Sequence, residues 1–294
     1  MYPSIDHGKQ AMIPVRFGAL QGYICKNLFS PALEKLLENP DLLFQGSDAR
    51  IVKQMGNTRT VRFSVEEDEF LLKHYLSRGW GQSLLGPFRG SRGRKAMGSA
   101  ALFASRGVPT PQPIALLEKR ELLLSSESYL LFGFHEDLET LYQMNGRLGE
   151  ERFLNTGLLD QVGRDVLKMH RAGLYHGDLK WSNILVSENN KGIGALVDLD
   201  GAGTLGFGRK DKMAMDLSRF LVDLYEILTN RRSGTEMFLR GYLKECGESS
   251  GKIMKLLNLV EQKVARKLKE HSRARGHDIR LAPGEITGVL NHPI

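Results

Sequence analysis

Short apolar runs of strand-like composition fill two stretches in the first half of the chain. Residues 49–76 hold three runs rich in β-branched and aromatic residues, separated by Gly56-Asn57 and by the acidic cluster Glu66–Glu69. This pattern predicts three strands joined by two tight turns. Two further apolar runs, at 114–124 and 128–134, predict two more strands.

Helical spacing dominates the second half. Apolar residues recur about every three or four positions in 158–173, and Gly173 ends the run, which predicts one helix. Short helices are predicted at 31–39 and near 95–106, and the chain beyond about residue 212 is predicted to be mainly helical. Strands followed by helices predict an α+β fold with two lobes.

Composition and charge narrow the classes of protein. The chain has 294 residues, 41% of them hydrophobic, which is ordinary for a globular protein. Its net charge of +7 favours an anionic partner, although a basic surface kept for solubility explains it equally well. The two cysteines, Cys25 and Cys246, form no metal motif or disulfide framework, which favours a reducing compartment. No signal peptide or membrane-spanning run is recognisable, so we expect a soluble or peripheral protein.

One ordered motif indicates the chemistry. His176–Asn183 reads HGDLKWSN and resembles the kinase catalytic loop H-R-D-L-x-x-x-N at five positions. The apolar run Ile184–Val186 follows at once. Asp198 then stands fifteen residues after Asn183, at the start of Asp198–Gly201, and it matches the metal-binding aspartate of the D-F-G element. A hairpin with exposed polar residues is the alternative, but it does not explain this ordered set.

Phosphoryl transfer explains these residue types. Metal ions that bridge nucleotide phosphates need oxygen ligands, so Asn183 and Asp198 are the candidates for Mg²⁺. Asp178 is the candidate base for the acceptor hydroxyl, and Lys180 can reach the transferred phosphoryl group as a point charge. The supporting residues would be His176 and Asp216, which brace the loop.

Lys73 is the candidate cation for the nucleotide. It lies in a predicted strand that follows two strands and a tight turn, as does the strand-borne lysine that contacts the α- and β-phosphates in kinases. A lysine that merely faces solvent is the alternative. The turn at Gly56, Asn57 and Thr58 would then cover the phosphates, although it lacks G-x-G-x-x-G.

Several departures argue against a protein kinase. No Asp or Glu occurs between His74 and Leu117, so the following helix cannot supply the usual glutamate partner of Lys73. Gly177 replaces the arginine of H-R-D, and no A-P-E element follows Asp198. These gaps favour a kinase of a small molecule or a glycan.

Taken together, the chain resembles the lipopolysaccharide core kinase family, the WaaP-like heptose and Kdo kinases, over roughly residues 40–245. The resemblance implies a cytoplasmic enzyme, peripheral at the bacterial inner membrane, that uses ATP and Mg²⁺ to phosphorylate a sugar of the nascent lipopolysaccharide core or another anionic glycolipid. No nucleic-acid partner is expected.

The chain would be divided into an N-terminal extension (1–48), a nucleotide-binding lobe (49–133) and a lobe for catalysis and the acceptor (134–294). The segments that carry the resemblance, besides the motifs above, are Ile51–Gln54, Leu72–Tyr75, Phe88–Ala96, Gly107–Pro111, Ser128–Leu130 and Asp216–Arg219.

A basic stretch follows the Lys73 strand. Arg89, Arg92, Arg94 and Lys95 lie in a segment without a carboxylate, so their charge would be available to an anionic acceptor or a membrane. A solvated basic loop is the alternative.

Two other functions remain open from the residues alone. One is a kinase of a soluble small molecule such as an aminoglycoside or choline, which the basic stretch disfavours because like charges repel. The other is a non-catalytic pseudokinase scaffold, supported only by the missing helix glutamate.

Overall fold

The structure, a computed structural model, describes residues 11–28, 30–45, 49–76, 91–121, 124–134, 136–187, 192–275 and 279–291. These residues form two compact units. Unit 1 runs to Ser105 and includes Pro111–Glu136, and unit 2 comprises Arg106–Thr110 and the chain from Asp137 onwards. The short segment 106–110 belongs to unit 2 because the Pro109 carbonyl accepts a hydrogen bond from the Leu196 backbone N–H at 2.9 Å.

A seven-stranded antiparallel sheet is the frame of unit 1. Its strand order is β1-β2-β6-β7-β5-β4-β3. The five strands predicted from the short apolar runs are β3 to β7, and all five are present. The strands are β1 (Met12–Phe17), β2 (Leu20–Cys25), β3 (Arg50–Met55), β4 (Thr58–Val65), β5 (Asp68–Tyr75), β6 (Pro113–Glu121) and β7 (Leu124–Gly133).

The hairpin of β1 and β2 was not predicted. It lies inside the range assigned above to an N-terminal extension, and β2 pairs with β6, so it belongs to the same sheet. Pro14 is tolerated because β1 is an edge strand, where a missing N–H donor breaks no ladder. After the hairpin come α1 (Pro31–Leu37) and a 3-10 turn at Pro40–Phe44. Buried side chains of both pack into the core on one face of the sheet.

A helix lies on the opposite face of the sheet. This helix, α2 (Arg92–Ser105), packs against β6 and β7. Its Ala96 joins Tyr75, Leu116 and Leu130 in a small buried cluster. Side chains alternate between the faces of a strand, so Lys73, two residues before Tyr75, lies on the face that α2 covers.

Unit 2 is mainly helical, as predicted. Its short strands form two small sheets, β8-β10-β11 and β9-β12. They are β8 (Glu139–Thr140), β9 (Leu174–Tyr175), β10 (Ile184–Val186), β11 (Ile193–Leu196) and β12 (Gly203–Thr204). The helices are α3 (Leu141–Leu148), α4 (Glu150–Asn155), α5 (Leu158–Arg171), α6 (Arg209–Ile227), α7 (Arg231–Leu243) and α8 (Ser250–Arg275), with a 3-10 turn at Thr287–Asn291.

The helix α8 packs on α6. Its apolar positions, which include Leu257, Val260 and Val264, are buried in unit 2. The apolar stripe is therefore a core face and not a membrane-facing one. No helix within the described parts of the chain is long and apolar enough to cross a membrane.

Candidate active site

The predicted catalytic loop lies between β9 and β10. Its backbone is held by Asp216 of α6, whose carboxylate accepts from the N–H groups of His176 at 2.8 Å and Gly177 at 2.7 Å. Asp216 is fully buried and also lies 3.2 Å from Nε2 of His170. A buried carboxylate is stable only when it is hydrogen-bonded in this way, so Asp216 and the loop position each other.

His176 connects the loop to the strand before Asp198. Its Nε2 donates to the Val197 carbonyl at 3.0 Å, and its Nδ1 accepts from the Asp178 N–H at 3.3 Å. Burial lowers the pKa of His176, which agrees with a neutral ring that donates at one nitrogen and accepts at the other. The side chain therefore ties Asp178 to the backbone beside Asp198.

Gly177 makes a second connection to the Asp198 turn. It adopts a left-handed conformation with φ of 82°, and a Cβ built on it would lie 2.4 Å from the carbonyl oxygen of Gly201. No larger residue fits that space, which explains why glycine replaces the arginine of H-R-D here. Asp198 itself has φ of 65°, a conformation uncommon for residues other than glycine and frequent at functional sites.

The side chain of Asp178 lies at the centre of the cluster. Lys180 Nζ is 3.0 Å from its Oδ2, and Arg219 Nη1 is 2.5 Å from its Oδ1. The Asn183 amide group donates to the Asp178 carbonyl at 2.9 Å. Because Nδ2 faces Asp178, the Asn183 oxygen is the atom left for a metal ligand.

Asn183 and Asp198 are brought close along the backbone. The Val197 N–H donates to the Asn183 carbonyl at 3.0 Å, so the two candidate ligands flank one hydrogen bond between neighbouring segments. No group of three or more His, Cys, Asp or Glu side chains suited to a metal occurs in the described part of the chain. One carboxylate and one amide oxygen still fit Mg²⁺, which usually takes one or two carboxylates and completes its shell with water and phosphate oxygens.

The helix α6 supplies three side chains to this loop in order. Asp216 holds His176 and Gly177, Arg219 contacts Asp178, and the Asp223 carboxylate accepts from the Trp181 N–H at 2.8 Å. Burial raises the pKa of Asp223 to about 6. The positions i, i+3 and i+7 lie on one face of a helix.

In unit 1, β5 presents Lys73 on the face covered by α2. Its Nζ lies 4.8 Å from the centre of the Tyr75 ring. The next residue, His74, points to the other face, where its ring stacks on Tyr129 with 4.1 Å between ring centres and Nε2 lies 3.1 Å from Glu127. Burial lowers the pKa of His74. These contacts fix β5 and with it the direction of Lys73.

The β3–β4 turn lies beside the end of β5. Gly56, with φ of 52°, and Asn57 form the turn, and Thr58 begins β4. The Asn57 carbonyl accepts from the Leu76 N–H at 3.0 Å, so the turn is held three residues beyond Lys73, just past the end of β5.

The expectation that no carboxylate neutralises the basic stretch is wrong for Arg94. Glu118 of β6 is buried and accepts from Arg94 through both carboxylate oxygens. Arg92 lies 4.8 Å from the centre of the Tyr75 ring and donates to the Asn57 carbonyl at 3.4 Å, and Lys95 is exposed. Arg89 falls outside the described residues.

Comparison with known proteins now places the chain. A model of the lipopolysaccharide kinase (Kdo/WaaP) family matches residues 44–242. The chain belongs to this family. A 3-deoxy-D-manno-octulosonic acid kinase of Stenotrophomonas maltophilia (strain K279a) is 29% identical over 164 residues, which are 53% of this chain and 61% of that protein.

Two solved structures are similar to this chain in fold. WaaP in complex with acyl carrier protein matches with a TM-score of 0.57 and 20% identity, covering 81% of this chain and 98% of that one. Spectinomycin phosphotransferase APH(9)-Ia matches with a TM-score of 0.48 and 11% identity over 74% of this chain and 82% of that one. The first likeness confirms the predicted α+β, protein-kinase-like fold.

For this Kdo/WaaP family chain, sequence reasoning missed two of the residues that meet the catalytic loop. Arg219 and Asp223 received no role, although D-x-x-R-x-x-x-D at helical spacing from Asp216 is a readable signal. The other predicted residues of unit 2 lie together: Asp178, Lys180 and Asn183 are in direct contact, and His176 and Gly177 join their loop to the Asp198 turn.

Proposed function

We propose that this chain is an ATP-dependent kinase that phosphorylates a sugar hydroxyl of the lipopolysaccharide core, on heptose or on Kdo. The carrying observation is the Asp178 carboxylate, held 3.0 Å from Lys180 on a loop that buried Asp216 braces. Membership of the Kdo/WaaP family and the similarity to a Kdo kinase support the acceptor class.

In this proposal Asp178 acts as the base. The acceptor hydroxyl oxygen bonds to the γ-phosphorus as the bond to the β,γ-bridging oxygen breaks, the hydroxyl proton passes to Asp178, and ADP leaves. Lys180 offers its positive charge to the transferred phosphoryl oxygens. Because Lys180 already lies beside Asp178, base and cation would address the same reacting atoms.

Asn183 and Asp198 would hold Mg²⁺ through one amide and one carboxylate oxygen. Bound there, the ion neutralises charge that develops on the nucleotide phosphates. The residues of this chain supply the ligand positions: His176 and Gly177 fix the two segments that carry them.

Unit 1 would bind the nucleotide. Lys73 would contact the α- and β-phosphates, and the turn at Gly56, Asn57 and Thr58 would cover them. In protein kinases a helix glutamate holds this lysine, whereas α2 contains no carboxylate. The Lys73 ammonium group lies 4.8 Å from the centre of the Tyr75 ring, within the range of a cation–π contact.

The reaction would take place at the cytoplasmic face of the inner membrane, with the nascent lipopolysaccharide core as partner. Exposed Lys95 and half-buried Arg92 supply basic charge for an anionic surface, while Arg94 is engaged with Glu118. Co-sedimentation of the protein with anionic vesicles tests this: Lys95→Glu should weaken association, and unchanged binding would assign these side chains to a solvated surface.

The decisive experiment identifies the phosphorylated product formed from a defined acceptor. The protein is incubated with labelled ATP, Mg²⁺ and dephosphorylated lipopolysaccharide core, and the labelled sugar is identified by mass spectrometry. We expect label on heptose or Kdo, and none with Asp178→Asn. Transfer to a soluble aminoglycoside and not to the core would replace this proposal.

A further inference from the structure

Arg219 has a chemical capacity that the role of Asp178 as base does not use. A guanidinium carries five N–H donors in a planar fork. Among the described residues, the structure gives Arg219 a single partner, Asp178, through Nη1 at 2.5 Å. The Arg219 side chain is 40% exposed, so several donors reach solvent beside the reacting carboxylate.

The position of Arg219 is fixed and does not depend on Asp178 alone. The helix α6 that carries it is anchored to the loop on either side, by buried Asp216 one turn before and by Asp223 one turn after. A residue between two such anchors stays next to Asp178 even when its own hydrogen bond is exchanged.

The acceptor must come close to this guanidinium. A hydroxyl that gives its proton to Asp178 lies within about 3 Å of a carboxylate oxygen. Arg219 contacts one of those two oxygens, and its planar fork extends beyond that contact, so groups one or two ring carbons away from the hydroxyl fall within reach of its remaining donors. An anion there gains charge-assisted hydrogen bonds in a geometry that a guanidinium matches, and a cationic substituent would be repelled.

We propose that Arg219 binds a carboxylate of the acceptor, near the hydroxyl that is phosphorylated, and so selects an acidic sugar over a neutral one. This inference rests on the proposed function and names the substrate class of the same site. It favours Kdo, a sugar acid, over heptose.

Two acceptors that differ at the carboxyl group, one charged and one neutral, test the assignment. They are a methyl glycoside of 3-deoxy-D-manno-octulosonic acid and the carboxyl methyl ester of that glycoside, compared by kcat/KM at saturating Mg-ATP. For the wild-type protein we expect the acid to be preferred by about 10- to 100-fold, the range of a charge-assisted hydrogen bond.

Three variants separate recognition from positioning. In Arg219→Gln the preference for the acid should disappear, and in Arg219→Lys, which keeps the charge but not the fork, it should fall in between. Arg266→Gln removes one exposed arginine of α8 that pairs only with Glu270 within the described chain, and it should keep the preference. If Arg219→Gln lowers acid and ester activity equally, Arg219 only positions Asp178 and the proposal is overturned.

A binding measurement keeps the two proposals apart. Calorimetric titration of acid and ester into the full chain reports recognition without turnover. If wild-type protein phosphorylates neither sugar but binds the acid more tightly, and Arg219→Gln abolishes that difference, the kinase assignment fails while the carboxylate site stands. Equal binding of acid and ester to the wild-type protein refutes the carboxylate site.

Discussion

Two arginine–carboxylate pairs, Arg94–Glu118 in unit 1 and Asp178–Arg219 in unit 2, differ in which partner is shielded from water. In unit 1 the Glu118 side chain is 2% exposed and that of Arg94 is 45% exposed. In unit 2 Asp178 and Arg219 both reach solvent, at 27% and 40%. A buried carboxylate depends on its cation because isolation carries a large desolvation cost. A pair open to water can exchange partners with little loss, as a base that receives a substrate must.

The unit 1 pair also reverses the arrangement of protein kinases. There the helix supplies the acid and a strand the cation. Here α2 supplies the cation, Arg94, and β6 supplies the acid, Glu118. Lys73, the proposed nucleotide-binding lysine, lies on the same face of the sheet, and the Arg94–Glu118 pair joins α2 to that face.

The strongest test of the unit 2 pair is Asp178→Asn. We expect turnover to fall by about 10²- to 10⁴-fold, the usual effect of losing a positioned base. ATP affinity, measured by calorimetry, should change little because Asp178 faces the acceptor in the proposed mechanism. Asp211→Asn, an exposed carboxylate at the start of α6, is the matched control and should be silent. Near-normal kcat in Asp178→Asn would remove Asp178 from the base role.

In unit 1 the same logic predicts unequal effects on stability. Arg94→Gln leaves the buried Glu118 carboxylate without its guanidinium and should lower the free energy of unfolding by about 2–3 kcal/mol. Glu118→Gln leaves an arginine that water can solvate, and it should cost roughly 1 kcal/mol or less. Urea unfolding of both variants gives the comparison. Equal losses would mean that burial of the acid does not control this pair.

Lys73→Ala tests whether unit 1 serves the nucleotide. Loss of a charged contact to phosphate should raise the KM for ATP and lower kcat, each by roughly tenfold. Initial rates over a range of ATP concentrations measure both. Lys35→Ala, an exposed lysine of α1 in the same unit, is the control. A kinetically silent Lys73→Ala would show that the strand-borne lysine was assigned incorrectly.

Much of this arrangement could be predicted from the sequence because its signals are local. Strands β3 to β5 follow from short apolar runs divided by Gly56-Asn57 and an acidic turn, and α5 follows from apolar spacing. The HGDLKWSN motif places its side chains within eight residues, so their proximity requires no knowledge of the fold.

The missed features depend on contacts distant in sequence. β1 and β2 contain Pro14 and Gly22, both unfavourable in strands, and pairing with β6 overrides that preference. The Arg94–Glu118 pair joins a helix to a strand 24 residues away, which charge counting inside one segment cannot detect. The helical spacing of Arg219 and Asp223 from Asp216 is readable in the sequence, but their contacts with the catalytic loop depend on where α6 packs.

The smallest expected effect concerns Asp223, the last α6 contact of the loop. Its carboxyl holds a proton more tightly in the folded chain, with a pKa of about 6, than at its ordinary value of 3.8, and burial is the main cause. Ionisation of Asp223 therefore lowers the free energy of unfolding, and this loss is absent below about pH 4 and complete above about pH 7.

Asp223→Asn keeps an oxygen to accept from the Trp181 N–H but cannot ionise. Relative to this variant, the wild-type protein should lose on the order of 1 kcal/mol of unfolding free energy as pH rises through that window. Urea unfolding of both proteins at several pH values measures the difference. A constant difference would show that the Trp181 N–H and Lys180 together offset the cost of burial, and a difference that grows in favour of the wild type would show that they outweigh it.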